Sequence, residues 1–441
     1  MTAAPPSAAA AAVARASYGR LVAYLAARSH DIAAAEDALS EAFAAALVHW
    51  PVDGVPDSPE AWLLTAARRR LHDTWRHGRV EAGAEETMRI VFGELPVAAS
   101  EAAFPDERLK LMFVCAHPAI DPAARPALML QVVLGLDAAR IASAFLVSPA
   151  ALSQRLVRAK TKIRAAGIAF EVPEASEWPE RLGDVLEAVY AAYGTGWDDV
   201  AGTDAMKVGL AREAIDLAAM LTSLAPQAAE VWGLLALLAF CQSRAGARRD
   251  GHGHYVALAG QDTSLWDHQL LEVAERALHR AAGLAAPGPF QLEAAIQSAH
   301  THRGLGADVP GEAIVQLYDA LVERQPTIGA LVSRASAIGA ARGAEAGLAA
   351  LAAIDTATIA SYQPYWAALA HLETVAGHVD AARIARERAP SASPAIRRCV
   401  ASCCGAPRRR LRRPERSEGL VGRRDSSLRS ESRLSCASSS E

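Results

Sequence analysis

The sequence predicts an all-α protein, and three features of its 441 residues carry that prediction. Hydrophobic residues make up 51% of the chain but aromatics only 5%, with Ala by far the commonest residue. Ala is the best helix former and a poor strand former. Apolar residues recur at spacings of three and four, and the segments they define are joined by Gly, Pro or Asp turns. A β-sandwich, a barrel and a collagen-like chain are excluded on the same grounds. The length corresponds to roughly two to four domains at about 100–200 residues each.

Residues 1–11 read as a disordered lead without a basic n-region, so no signal peptide is expected. Helical periodicity begins near Ala12 and continues to Trp50 through Leu21, Tyr24, Leu25, Ala35, Leu39, Ala42, Phe43 and Leu47. Pro51 to Pro59 carries turn chemistry. Ser58-Pro59-Glu60 then reads as an N-cap with Pro at the first position of a helix that ends near His77. Residues 81–105 lack pattern and read as a linker. Helices resume at Asp106 and run to about Ala166, broken at Pro118, Pro122 and the Leu146-Val147-Ser148 turn. Pro173 to Pro179 is the next boundary.

From there to about Ala389 the chain is a succession of Ala/Leu helices. Two stretches resemble each other, Ala330–Leu351 around Gly343 and Tyr365–Arg388 around Gly377. The glycines lie 34 residues apart (377 minus 343), the period of a tetratricopeptide-like hairpin. Residues 178–398 are therefore expected to form a helical repeat acting as a protein-binding or self-regulatory module, removable after Gly167 without loss of what precedes it. Residues 399–441 are expected to be a disordered Arg/Ser-rich tail. From Pro390 onward there are 12 Arg against 5 acidic residues, so the body carries about -11 of a net charge of -4. Any basic surface on that body must be local.

Chemistry-bearing motifs are few. The chain has no G-x-S-x-G, P-loop, H-E-x-x-H or Cys-x-x-Cys pattern, and an enzyme, a cofactor or a bound metal is not expected. Asp250-Gly251-His252-Gly253-His254 lacks a third ligand nearby and reads as a solvated loop. Four of the six cysteines fall in the last 43 residues, which is no disulfide framework and leaves the cytoplasm as the expected compartment. No apolar run reaches the ~18 residues of a membrane span, and no membrane partner is expected.

Two basic helices stand out instead. Ala61 to Arg79 gathers five Arg, two His and two Trp. Trp62, Ala66, Arg69 and Asp73 share one face, while Arg68, Leu71 and Trp75 share another. Arg contacts phosphates and an aromatic can stack on an unpaired base; an amphipathic helix with solvated Arg is the plainer alternative. Leu134 to Pro149 is a short helix, a tight turn and a new N-cap leading into Ala150–Arg164. There Leu152, Leu156, Ala159 and Ile163 form the expected buried stripe, and Gln154, Arg155, Arg158 and Lys162 fall away from it. From Pro149 to Arg164 there are five basic residues and no acid. This is the layout of a helix-turn-helix whose second helix enters the major groove.

Together these segments resemble the extracytoplasmic-function (ECF) sigma factors, initiation subunits of bacterial RNA polymerase. Residues 12–80 are similar to sigma region 2 and residues 106–168 to region 4. Asp106–Pro118, Arg158–Ile168, Gln261–Asp267 and Gly288–Ile296 are similar to the subgroup with a long C-terminal helical extension. At Arg69 the family commonly carries Asn, and near Tyr193–Trp197 it often carries an Asn-Glu-Gly motif. The resemblance implies a role for each candidate residue. Glu36, Asp37 and Glu41 would dock on core polymerase. Trp62, Arg68, Arg69, Arg70, His72, Trp75, Arg76 and Arg79 would melt and read the promoter -10 element. Ser153, Gln154, Arg155, Arg158, Lys160 and Lys162 would read the -35 duplex. The implied partners are core RNA polymerase and promoter DNA, with a regulatory protein a further partner for the extension. The competing reading is a helix-turn-helix transcriptional regulator with a helical effector domain, which has no need of the Trp62–Arg79 helix or the acidic Glu36–Glu41 segment.

Overall fold

A computed structural model describes residues 6–78, 106–145, 147–198, 209–252, 256–355 and 362–388. It is all helical, with no strand among the described residues. The expected linker 81–105, Arg79 and the expected tail 399–441 lie outside these residues, as does the end of the expected repeat beyond Arg388.

The N-terminal bundle is α1 (Pro6–Ser29), α2 (Ile32–Asp53) and α3 (Pro59–Gly78). α1 starts within the segment read as a lead, and Ala10 is already buried. The continuous periodicity from Ala12 to Trp50 is cut in two at His30, which has φ 53°, and Asp31, whose side chain accepts from the Ala34 N–H and caps α2. α2 also runs on through Pro51 to Asp53, where a turn was expected, and stops at Gly54 with φ 87°. Pro51 removes one ladder bond in the last turn, and the exposed side chain of Leu47 marks that side of the helix as open to water.

Four helices follow: α4 (Arg108–Cys115), α5 (Arg125–Leu134), α6 (Ala138–Phe145) and α7 (Pro149–Ala165). Their breaks fall where Pro118, Pro122 and Ser148 place them. Next come α8 (Trp178–Asp198), α9 (Leu210–Leu224), α10 (Ala229–Ser243) and α11 (His268–Gly283), with α8, α9 and α11 packed around the apolar α10. Then α12 (Pro289–Gly304), α13 (Gly311–Arg324), α14 (Ile328–Arg342), α15 (Ala344–Ala352), α16 (Gln363–Ala376) and α17 (Val379–Arg388) stack, each on the one before it in sequence. Gly343 (φ 100°) and Gly377 (φ 85°) turn the two hairpins that resembled each other in sequence.

One continuous apolar core extends from Ala10 to Ala294, and two smaller clusters serve α12–α14 and α14–α16. α8 lies on α4 and α5. Two buried ion pairs cross the same boundary: Arg125 Nη1 to Asp184 Oδ2 at 2.8 Å and Arg108 Nη1 to Glu213 Oε1 at 2.6 Å. Removing everything after Gly167 would therefore expose the apolar faces of α4 and α5 and leave two buried guanidinium groups short of a partner. The extension shares apolar packing and two ion pairs with the helices before it, so its removal after Gly167 is expected to destabilise them.

In α12, burial, with Arg244 and Arg303 nearby, pushes the His300 imidazole down from 6.5 to about 4. Between those two values the unfolded chain binds a proton that the folded chain does not, so this group's contribution to stability is complete above pH 6.5 and falls away as the pH drops toward 4. The fall in melting temperature between pH 7 and pH 5 should be smaller in His300→Gln than in the parent. Parallel curves would show that His300 is not the group responsible.

Candidate nucleic-acid interface

α2 buries Ile32, Ala35, Ala38, Leu39, Ala42, Ala46 and Trp50. The three acids of the sequence reading are split by that stripe. Asp37 and Glu41 point outward, and the Glu41 carboxylate meets Arg70 Nε at 3.1 Å on the surface. Glu36 turns inward, 2.5 Å from Lys160 Nζ of α7, with burial raising its carboxyl against the opposing pull of Lys160. Beyond Glu41 the outer face becomes apolar: Leu47, Val48 and Val52 are all exposed. Sequence reasoning missed this half of the face and counted Leu47 among the regular apolar positions. The available signal was that 47, 48 and 52 do not continue the run 35, 39, 42, 46, 50.

α3 packs through Leu63, Leu64, Ala67 and Leu71. Trp62 stands half-buried, its ring edge-on to Trp50 with centroids 5.7 Å apart. Ala61, Trp62, Thr65, Ala66 and Arg69 line an open cleft of about 350 Å³. Trp62, Ala66 and Arg69 are the face that helical spacing grouped together. Their cleft combines an aromatic wall, an exposed guanidinium and a volume suited to a base-sized group. Arg68 is half-buried, whereas Arg70 and His72 are exposed. The side chains of Trp75 and Arg76 and all of Arg79 lie outside the described residues.

In the second basic segment, the Ser148 side chain accepts from the Ala151 N–H at 3.3 Å and Pro149 opens α7. The helix buries the four residues expected of it, Leu152, Leu156, Ala159 and Ile163. Ser153, Gln154, Arg158 and Lys162 are exposed and Arg155 is half-buried. The Ser153 hydroxyl donates to the Pro149 carbonyl. Lys160 departs from the expected outer set: it is held by Glu36, and Arg164 Nη1 is 3.1 Å from Asp31 Oδ2. Val157, passed over in the sequence, is exposed on the outer face, where its methyls suit a thymine methyl in a groove. Among the described residues no group of His, Cys, Asp or Glu is arranged to hold a metal ion, and no helix is long and apolar enough to cross a membrane.

Comparison with known proteins bears on the N-terminal and central parts. Residues 14–80 match the sigma-70 region 2 family, and residues 181–282 match a family of unknown function, DUF6596. An uncharacterized protein of Rhizobium meliloti (strain 1021), R00370, is 38% identical over 320 residues, covering 71% of this chain and 76% of that protein. No solved structure matches the chain.

The capping bond at Ser148 makes a simple check on α7. Ser148→Ala should cost about 1 kcal/mol of stability and increase amide exchange in the first turn of α7. Unchanged exchange there would mean that Pro149 and the buried stripe suffice to start the helix.

Proposed function

We infer that this chain, which belongs to one family with the Rhizobium meliloti protein and carries a sigma-70 region 2 domain, is a sigma factor of the extracytoplasmic-function kind. The region 2 match supports a sigma-factor role in binding RNA polymerase. The finer reading is that α2 docks on core polymerase, α3 holds the melted -10 element, and α6–α7 is a helix-turn-helix that reads the -35 duplex. Helices from α8 onward are a tetratricopeptide-like extension that modulates activity, with a regulatory protein as its further partner. The factor works in the cytoplasm.

The observation that carries this reading is the α3 cleft beside Trp62 and Arg69, set next to the outward Asp37–Val52 face of α2, all within the region 2 match. A base leaving the duplex needs an aromatic wall and its phosphate needs a cation; the cleft offers both. Polymerase docking needs a surface distinct from the DNA surface. α2 offers carboxylates at Asp37 and Glu41 followed by Leu47, Val48 and Val52. On α7, Gln154, Arg155 and Arg158 supply the donors and acceptors that read base edges.

Run-off transcription with core RNA polymerase tests the reading directly, and absence of any promoter-dependent product would end it. Asp37→Lys should abolish co-purification with core polymerase while leaving helix content unchanged, because Asp37 is exposed. Retained co-purification would remove α2 as the docking face. Arg155→Ala should weaken transcription at -35-dependent promoters by about 1–3 kcal/mol. An equal loss at every promoter would make Arg155 a phosphate contact instead.

A further inference from the structure

We propose that the extension holds a small oxyanion, a carboxylate or phosphate group, between Tyr193 of α8, Arg244 and Arg248 after α10, Trp266 before α11 and Thr301 of α12. The inference goes beyond the sigma-factor reading and does not rest on it, since all five residues lie outside the region 2 match. Separate stretches of chain converge at this place. The Ser243 carbonyl accepts the Asp267 N–H at 2.8 Å, which brings Trp266 beside the end of α10. Arg244 Nη2 donates to Gln297 Oε1 of α12, and its Nε donates to the Phe240 carbonyl at 3.2 Å. The Tyr190 ring meets Phe290 edge-on with centroids 5.6 Å apart, which closes α8 on α12. Tyr193, nearly one turn further along α8, donates its hydroxyl to Gln242 Oε1 at 3.4 Å.

What gathers there is a concentration of buried hydrogen-bond donors. Arg244 and Arg248 are only 3% and 8% exposed, and a guanidinium group donates without accepting. Burial raises the Tyr193 hydroxyl well above its usual range, and the charges of Arg248 and Arg244 pull against it. His300 of α12 is pushed down by burial and then by Arg244 and Arg303. Both titratable side chains therefore sense guanidinium charge inside the fold. Two further donors face the same region. Trp266 Nε1 and Thr301 Oγ1 belong to residues 3% and 2% exposed and have no hydrogen-bond partner among the described residues. Thr301 follows Gln297 by one turn on one face of α12, and the Trp266 ring lies against the end of that helix, 2.6 Å from where a Cβ at Gly304 would stand. Buried polar atoms without a protein partner mark the place of a water or an ion. Water would have to donate as well as accept, and it supplies no charge. An oxyanion only accepts, can do so from several donors at once, and forms with guanidinium groups the stronger, charge-assisted kind of hydrogen bond. Four of the five residues, all but Thr301, lie within the DUF6596 match at 181–282.

Hydrogen exchange with mass spectrometry on the full-length chain tests the site, in sodium phosphate, in sodium acetate and in sodium chloride at matched ionic strength. Exchange at the end of α10 and in the second half of α12 should slow about tenfold when the anion stands at about ten times its dissociation constant. The arm that protects identifies the group: phosphate for a phosphoryl ligand, acetate for a carboxylate. Tyr193→Phe, which removes one hydroxyl, and Arg248→Gln should each weaken the effect about tenfold, the loss expected for a hydrogen bond to a charged group. Arg276→Gln, the same charge change at an exposed position of α11, should leave it intact. Circular dichroism checks that each variant keeps its helices, and if Arg248→Gln loses them, Tyr193→Phe decides alone. Slowing confined to the basic helices α3 and α7 would mean an adventitious ion only and overturns the site. So does the absence of slowing in both arms, or slowing that survives Tyr193→Phe undiminished. None of these readouts uses polymerase or promoter DNA, so the anion site and the sigma-factor reading fail separately.

Discussion

The fold is organised around α5, a ten-residue helix with no polar face. Arg125, Pro126, Ala127, Leu128, Met129, Leu130, Val132 and Val133 are all buried. A helix that is apolar all round has to be enclosed on every side. The enclosing surfaces come from α1, α4, α6, α7 and α8, which belong to all three parts of the chain. Even its one charge is turned to this use. The Arg125 guanidinium gives Nε to the Ile120 carbonyl, Nη2 to the Pro118 carbonyl and Nη1 to Asp184. A buried cation is tolerated only when its donors are met, so this one side chain fixes the turn before α5 and the position of α8 together.

The attachment of the extension follows from that enclosure. Arg108 repeats the device on α4. Its Nε and Nη2 grip both oxygens of Asp106 while Nη1 reaches Glu213 on α9. Burial would raise the Asp106 carboxyl, but the bonds and charge of Arg108 outweigh it and hold the group below its ordinary range. Replacing such a network by apolar residues often costs nothing, whereas breaking it is expensive. Its value here is register, because two guanidinium forks tied to fixed carboxylates allow few ways of seating α8 and α9. The match to DUF6596 spans residues 181–282, which include both acids.

Much of this was legible in the sequence, and what was not escaped for two physical reasons. The four-residue stripe of α7 and its Ser148 cap follow from spacing and local chemistry, and both are present. The start of α3 at Pro59 and the paired glycines at 343 and 377 are equally local. The break at His30 escaped notice because Ala-rich flanks continue the helical pattern across it, although Asp31 is a sound N-cap residue. The inward turn of Glu36 was invisible for a different reason. Position 36 sits at the edge of the α2 stripe, and only the arrival of Lys160 from 124 residues away decides which side of the edge it occupies. The same holds for α8 as a cover for α5: amphipathicity shows that a face is buried, never against what.

The composition that predicted helices also sets how those helices can move. Small residues let backbones touch: Gly19 meets Val133, Gly233 meets the backbone of Gln291, and Gly347 meets Gly339. Close-packed contacts of this kind lose about a quarter to a half of their attraction when a gap of about 0.5–1 Å opens. Larger side chains would allow sliding and repacking as an interface loosens; backbone-to-backbone seams do not. Near the α1–α5 seam the Glu36–Lys160 pair, with side chains only 15% and 14% exposed, adds a contact that is costly to break by removing one partner. Seams of this kind fix the register of neighbouring helices, because the small residues that let the backbones touch leave no room for a larger side chain.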